Sequence, residues 1–248
     1  LKMQVTVRAP QPLALPGDRP TGVLLFHAYT GSPNDVNSLA HALAREGFAV
    51  QAPLFAGHGT PDPMAVLAAR PTQWWAQVQA AVETLAATHL RVAVFGLSLG
   101  GIFAMQALEQ LAVDCGGVFA SPVMPGAQQI APNFMKYATY LDRLAERPDR
   151  TTALETALKP ALAANQAAAA TVATGLGQIR QPVFIAQGGR DEMIDPARSR
   201  ALAQALPHAA VTFRWYAEAG HVLTVNSARQ RLTQDVIQFL NEKENEEQ

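Results

Sequence analysis

The chain has 248 residues, 49% of them apolar and 16% charged, enough for one domain with a sizeable core. Nineteen basic and twenty acidic side chains leave a formal net charge of −1, so no overall field draws it to nucleic acid or anionic lipid; a small ligand of low charge is the expectation. The single cysteine, Cys115, excludes an intrachain disulfide and a cysteine-rich metal site, and nowhere do about 18 apolar residues run together as a membrane span requires.

From the N-terminus, "LKMQVTVRAPQPLALPGDRP" lacks the apolar run and cleavage pattern of a secretory signal. Met3 stands as the expected native start, and the expected location is cytoplasmic, without stable membrane insertion. Short apolar runs then recur at 22–27, 48–53, 91–96, 115–120, 182–187 and 211–216, and these read as buried strands. Helical patterns fall between them at 34–46, 72–88, 98–111, 196–206 and 227–240. Within 72–88 Trp75 fits the apolar stripe, whereas Trp74 is expected to pack beneath neighbouring structure. Alternating strand and helix predicts an α/β fold with a mostly parallel sheet flanked by helices.

The alternation stops between Pro122 and Gln181. This stretch holds two helical patterns and no strand: one carries Phe134, Tyr137, Leu141 and Leu144, and the other is alanine-rich and interrupted by Pro160, which is expected to break or kink it. It reads as a helical cap, residues 122–181, inserted into a core of 1–121 and 182–248. An insertion there lands above the C-terminal strand ends, where open α/β sheets bind ligands. The tail "NEKENEEQ" reads as a solvated end.

One motif carries chemistry. "RVAVFGLSLGG", residues 91–101, leads a predicted strand into Ser98 and straight on into a predicted helix. Ser98 could simply cap that helix; alternatively it is a nucleophile on a strained strand-to-helix turn, with Gly96 and Gly100 removing side chains that would collide. A serine hydroxyl is weak at neutral pH without an aligned base, and the base needs an acid to fix its tautomer. The chain order for such a turn is Ser, then Asp or Glu, then His.

Two histidines follow far enough downstream. His221 leaves the C-terminal end of a strand, whereas His208 lies in a helix-to-strand turn at the other end of the sheet. Among the acids in "GGRDEMIDP" Asp191 is favoured, Asp195 before Pro196 reads as a helix cap, and Glu192 as a solvent-facing side chain. An oxyanion hole needs two amides: Leu99, after the nucleophile, supplies one, and Tyr29, in the loop after the first strand, is the candidate for the other. His27 reads as a hydrogen-bonded strand-end histidine, and His58 in "GHG" either as a solvated turn residue or as part of the site's mouth.

Taken in order, "FHAYTGSPNDV", "APLFAGHGTP", "WW", "GLSLGG", "RDEMID" and "WYAEAGHVLT" resemble the bacterial carboxylesterases of the α/β-hydrolase fold, in particular the small thermophilic carboxylesterase and Lactobacillus esterase group near the bacterial monoacylglycerol lipases. The resemblance covers most of the chain and is weakest over 122–181. It implies a serine esterase that cleaves short- to medium-chain acyl esters through an acyl-enzyme, with no metal or organic cofactor and a small-molecule ester as partner. Position by position, Ser98, Asp191 and His221 match the family triad, and Tyr29 and Leu99 its oxyanion amides. Ala28 replaces a family glycine, which puts the placement of Tyr29 in question. Substrate contacts are expected from His27, His58, Trp74, Phe134 and Tyr137, although the aromatic residues could equally be core. A monoacylglycerol lipase or thioesterase would share every residue named. A non-catalytic binder of a small hydrophobic ligand is the reading from another class, and the intact trio argues against it.

Overall fold

The structure is a computed structural model describing residues 9–246; the expected start at Met3 lies outside the described residues. Seven strands form one sheet: β1 (Leu13–Leu15), β2 (Thr21–Phe26), β3 (Ala49–Ala52), β4 (Arg91–Leu97), β5 (Cys115–Phe119), β6 (Val183–Gly188) and β7 (Val211–Tyr216), in the spatial order β1-β3-β2-β4-β5-β6-β7. Every neighbouring pair is parallel except β1 against β3. The helices are α1 (Asn37–Arg45), α2 (Met64–Ala68), α3 (Pro71–Ala86), α4 (Leu99–Gln110), α5 (Ile130–Leu144), α6 (Thr151–Gly175), α7 (Ala197–Gln204) and α8 (Arg229–Asn245).

The central strands β2, β4, β5 and β6 are buried and largely apolar because both faces are covered. Alternation sends Leu24, Phe26, Val92 and Val94 into a cluster with α3, α4, α5 and α6. It sends Val23, Leu25, Ala93, Phe95 and Leu97 to the other face, against α1 and α8. Phe134 and Ala138 of α5, with Leu154, Leu158 and Ala161 of α6, belong to the same cluster as the sheet face, so the segment between β5 and β6 packs onto the sheet layer as one core.

The topology fixes where a ligand can bind. The chain runs from β2 outward to β3 and then returns to place β4 on the other side of β2. Loops leaving the C-terminal ends of β2 and β4 therefore diverge and open a crevice between them. Tyr29 follows β2 and Ser98 follows β4.

The structure corrects several expectations. Strand β1 and helix α2 were not legible, being only three and five residues long. Helix α6 runs unbroken through Pro160 over 25 residues: Pro160 is exposed, so the backbone carbonyl left without its partner faces water, and buried Leu158 and Ala161 on either side hold the turn. The tail is not solvated as far as Asn245, because α8 continues and buries Glu244, whose carboxylate pairs with Arg19 at 3.3 Å. Trp74, not Trp75, is the fully buried indole. Its Nε1–H donates to the Ala56 carbonyl at 2.9 Å, which turns this edge of α3 inward.

Candidate active site

Ser98 sits between β4 and α4 with φ 51° and ψ −116°, a left-handed conformation that an L-residue holds only when its surroundings impose it. Three features impose it. Its N–H donates to the Phe119 carbonyl at 2.8 Å, and its carbonyl accepts from the buried Ser121 hydroxyl at 2.7 Å. A Cβ at Gly96 would lie 2.1 Å from the Gly100 backbone, so the turn closes only with glycine there. The Ser98 side chain makes no capping bond to α4; its Oγ lies 3.0 Å from His221 Nε2.

His221 leaves β7 and is 3% exposed. Its Nδ1 faces Asp191 at 2.8 and 3.0 Å, which fixes the tautomer that leaves Nε2 free to take a proton from Ser98. Burial pushes the Asp191 carboxyl up, but the bond from His221 and the amides of Ile194 and Met193 outweigh it and hold Asp191 below the ordinary range. The wholly buried Gln187 amide also donates to Asp191 Oδ2 at 2.9 Å. Asp195 accepts from the Ala197 N–H at the start of α7. Exposed His208 precedes β7, at the sheet end opposite Ser98.

The Tyr29 loop is a tight turn: Gly31 N–H donates to the Ala28 carbonyl at 3.0 Å, with Thr30 at φ 67°. The positive φ falls on Thr30 and not on Ala28, so the turn does not demand a glycine conformation at position 28. His27 Nδ1 also bonds the Ala28 carbonyl, and its Nε2 accepts the Phe55 N–H. Among the described residues neither the Tyr29 nor the Leu99 N–H donates to another protein group.

The other expected contacts divide. Tyr29 stacks on Phe134 with ring centroids 5.8 Å apart, and Phe134 meets Tyr137 edge-on. His27, His58 and Trp74 lie beneath, in an aromatic layer with Phe55 and Phe103. Burial holds the histidines neutral, His27 lowered to about 3 and His58 to about 4. His58 is therefore not a solvated turn residue; it is 4% exposed.

Two cavities meet at Ser98. The larger, about 500 Å³, is mostly apolar and is walled by Leu99, Ile102, Val123, Met124, Ile130 and Leu162 among others. The smaller, about 210 Å³, includes His221, Asp35, Asn133 and Glu192. Glu192 is exposed, and its carboxylate accepts the His221 N–H at 3.1 Å.

Ser121, Gln187 and Arg198 are among the residues of the site that escaped the sequence reading. Ser121 and Gln187 are polar side chains in otherwise apolar strand ends, and that interruption was the available signal. Arg198 carried none: its buried guanidinium donates to the carbonyls of Pro122, Met124, Gly126 and Ala127 and walls the larger cavity. Among the described residues no cluster of three His, Cys, Asp or Glu is placed to hold a metal, and no helix is long and apolar enough to cross a membrane.

Fold and relatives together define an α/β-hydrolase of the carboxylic ester hydrolase class. The family model described as serine aminopeptidase, S33, matches residues 19–149 and 155–227, and the chain belongs to that family. A carboxylesterase of Bacillus subtilis (strain 168) is 29% identical over 243 residues, covering 94% of this chain and 97% of that protein. A thermostable monoacylglycerol lipase of Bacillus sp. (strain H-257) is 36% identical over 100 residues, 39% of this chain and 38% of that protein. Among solved structures, one from the study of the metagenome-derived lipolytic enzymes LipS and LipT superposes with a TM-score of 0.76 at 21% identity, covering 94% of this chain and 98% of that one.

Proposed function

We propose that the protein is a serine carboxylesterase of the cell interior that hydrolyses short- to medium-chain acyl esters through an acyl-enzyme. The observation that carries this reading is the 3.0 Å contact between Ser98 Oγ and His221 Nε2, with the Asp191 carboxylate 2.8 Å behind the imidazole.

In this reading His221 Nε2 takes the Ser98 proton as Oγ bonds to the ester carbonyl carbon, and the carbonyl electrons collect on an oxyanion held by the amides of Tyr29 and Leu99. As the carbon–oxygen bond to the alcohol breaks, His221 passes its proton to the departing oxygen. Water then attacks the acyl carbon, His221 accepts its proton and returns it to Ser98, and the acid leaves. The departing oxygen must reach His221 Nε2, so the smaller cavity, which has His221 on its wall, takes the alcohol. The larger apolar cavity takes the acyl chain, and α5 and α6 act as its cap.

Hydrolysis of p-nitrophenyl esters from acetate to palmitate at neutral pH, beside the Ser98→Ala variant, tests the proposal. Rapid cleavage of short and medium esters, abolished by the substitution, is the expected result. No turnover, or turnover surviving in Ser98→Ala, contradicts the assignment, and equal rates from acetate to palmitate remove the cap from specificity.

A further inference from the structure

The two cavities that meet at Ser98 differ in charge. Among the described residues Arg198 is the only charged one lining the larger cavity, and its guanidinium bonds neutral carbonyls. Two carboxylates, Asp35 and Glu192, line the smaller one together with Thr30 and Asn133, and no lysine or arginine among the described residues does. Both carboxylates are anchored. Asp35 Oδ2 accepts the Ala28 N–H at 3.3 Å, and Glu192 Oε2 sits over Gly220, where a Cβ would come within 2.7 Å of it. Tyr29 lines the same cavity, and its buried hydroxyl has no partner among the described residues.

We infer that the smaller cavity is a leaving-group subsite that accepts alcohols rich in hydrogen-bond donors, polyols or amino alcohols, and rejects anionic ones. The inference rests on the proposed triad, because His221 identifies which cavity holds the departing oxygen. An ionised carboxylate only accepts hydrogen bonds, so hydroxyl or ammonium groups on the alcohol find partners at Asp35 and Glu192. A carboxylate or phosphate on the alcohol meets like charge from half-buried Asp35 and exposed Glu192. Discrimination of this kind arises from groups left unpaired or repelled, and so it exceeds what apolar fit provides.

The test uses four butyrate esters that share one acyl group: ethyl butyrate, glycerol monobutyrate, 2-(dimethylamino)ethyl butyrate, whose protonated amine carries an N–H donor, and the butyrate ester of glycolate, which carries a free carboxylate. Released acid gives kcat/KM for each, divided by that ester's rate of alkaline hydrolysis. The glycerol and dimethylaminoethyl esters are expected to exceed the glycolate ester by roughly tenfold or more. That ratio should shrink in Glu192→Gln, reverse in Glu192→Lys, and shrink at about 1 M salt, where the Debye length falls to ~3 Å. Each ratio is taken within one variant, so a general change in activity cancels. The dimethylaminoethyl ester above the glycerol ester assigns the subsite to ammonium alcohols, and the opposite order to polyols. A wild-type ratio near one, or a ratio unmoved by both substitutions, overturns the inference. If that occurs while Ser98→Ala still abolishes turnover, the triad stands and only the subsite falls; activity that survives Ser98→Ala overturns both.

Discussion

At the scale of the residue, the proposed chemistry depends on how Asp191 is held. Asp191 accepts from Gln187, Met193, Ile194 and His221, and Gln187 is the one side-chain donor among these that carries no proton in the proposed cycle. Gln187→Met keeps the volume and removes the donor. The expected result is a fall in kcat of roughly tenfold with KM little changed, the loss of one hydrogen bond to a charged group. A carboxylate without that donor holds the imidazolium more tightly, so the acid limb of kcat/KM should move to higher pH. A residue that merely fills space would leave that limb in place. That Ser98, Asp191 and His221 would be brought together was legible because strand, glycine turn and loop follow one another in a fixed order along the chain. Gln187 and Ser121 were not, since their roles depend on which loop end lies above them.

At the scale of the element, the segment between β5 and β6 is tied down by charge as well as by apolar contact. Arg150 donates through two nitrogens to Asp142 of α5, at 2.6 and 3.0 Å, and also reaches Asp62, ahead of α2, at 2.7 Å. Arg147 reaches the Pro61 carbonyl beside it at 2.8 Å. The Arg150 guanidinium beside them holds both carboxyls below the ordinary range. Arg150→Met is expected to destabilise the fold by roughly 1–2 kcal/mol and to speed amide exchange in α5 more than in the sheet. Uniform exchange in the variant would mean that the cluster does not hold the helices. None of this was visible in the sequence, where the residues of the cluster are separated by up to 88 positions. Pro160 and the α8 tail were misread for a related reason: local propensity does not register the packing that overrides it.

At the scale of the whole molecule, buried ionisable groups set the pH range of stability. Burial depresses His27 and His58 to about 3 and about 4. Their contribution is complete above the unfolded-state value of 6.5 and is lost as pH falls toward those folded values. Asp35 works in the opposite sense: burial raises it to about 6, so its protonated form favours the folded state and that contribution is lost as pH rises through 6. The two histidines outnumber the one acid, and the melting temperature is expected to fall between pH 6.5 and pH 4. His58→Phe preserves the aromatic layer and removes a buried Nε2 that has no partner. The Ala56 carbonyl, to which His58 donates, keeps its bond from Trp74. The variant should therefore match or exceed wild-type stability at pH 7 and lose less on acidification, as melting curves across that range will show; an equally steep loss would contradict the assignment of neutral His58.

The central claim is that Ser98 forms an acyl-enzyme. Its most direct test is rapid mixing with p-nitrophenyl butyrate, acid quenching within the first turnovers, and mass spectrometry of the digested protein. One butyryl group on the peptide carrying Ser98, with no such adduct in Ser98→Ala, is the predicted result. Release of p-nitrophenol with no adduct, or with the acyl group on another residue, would contradict it.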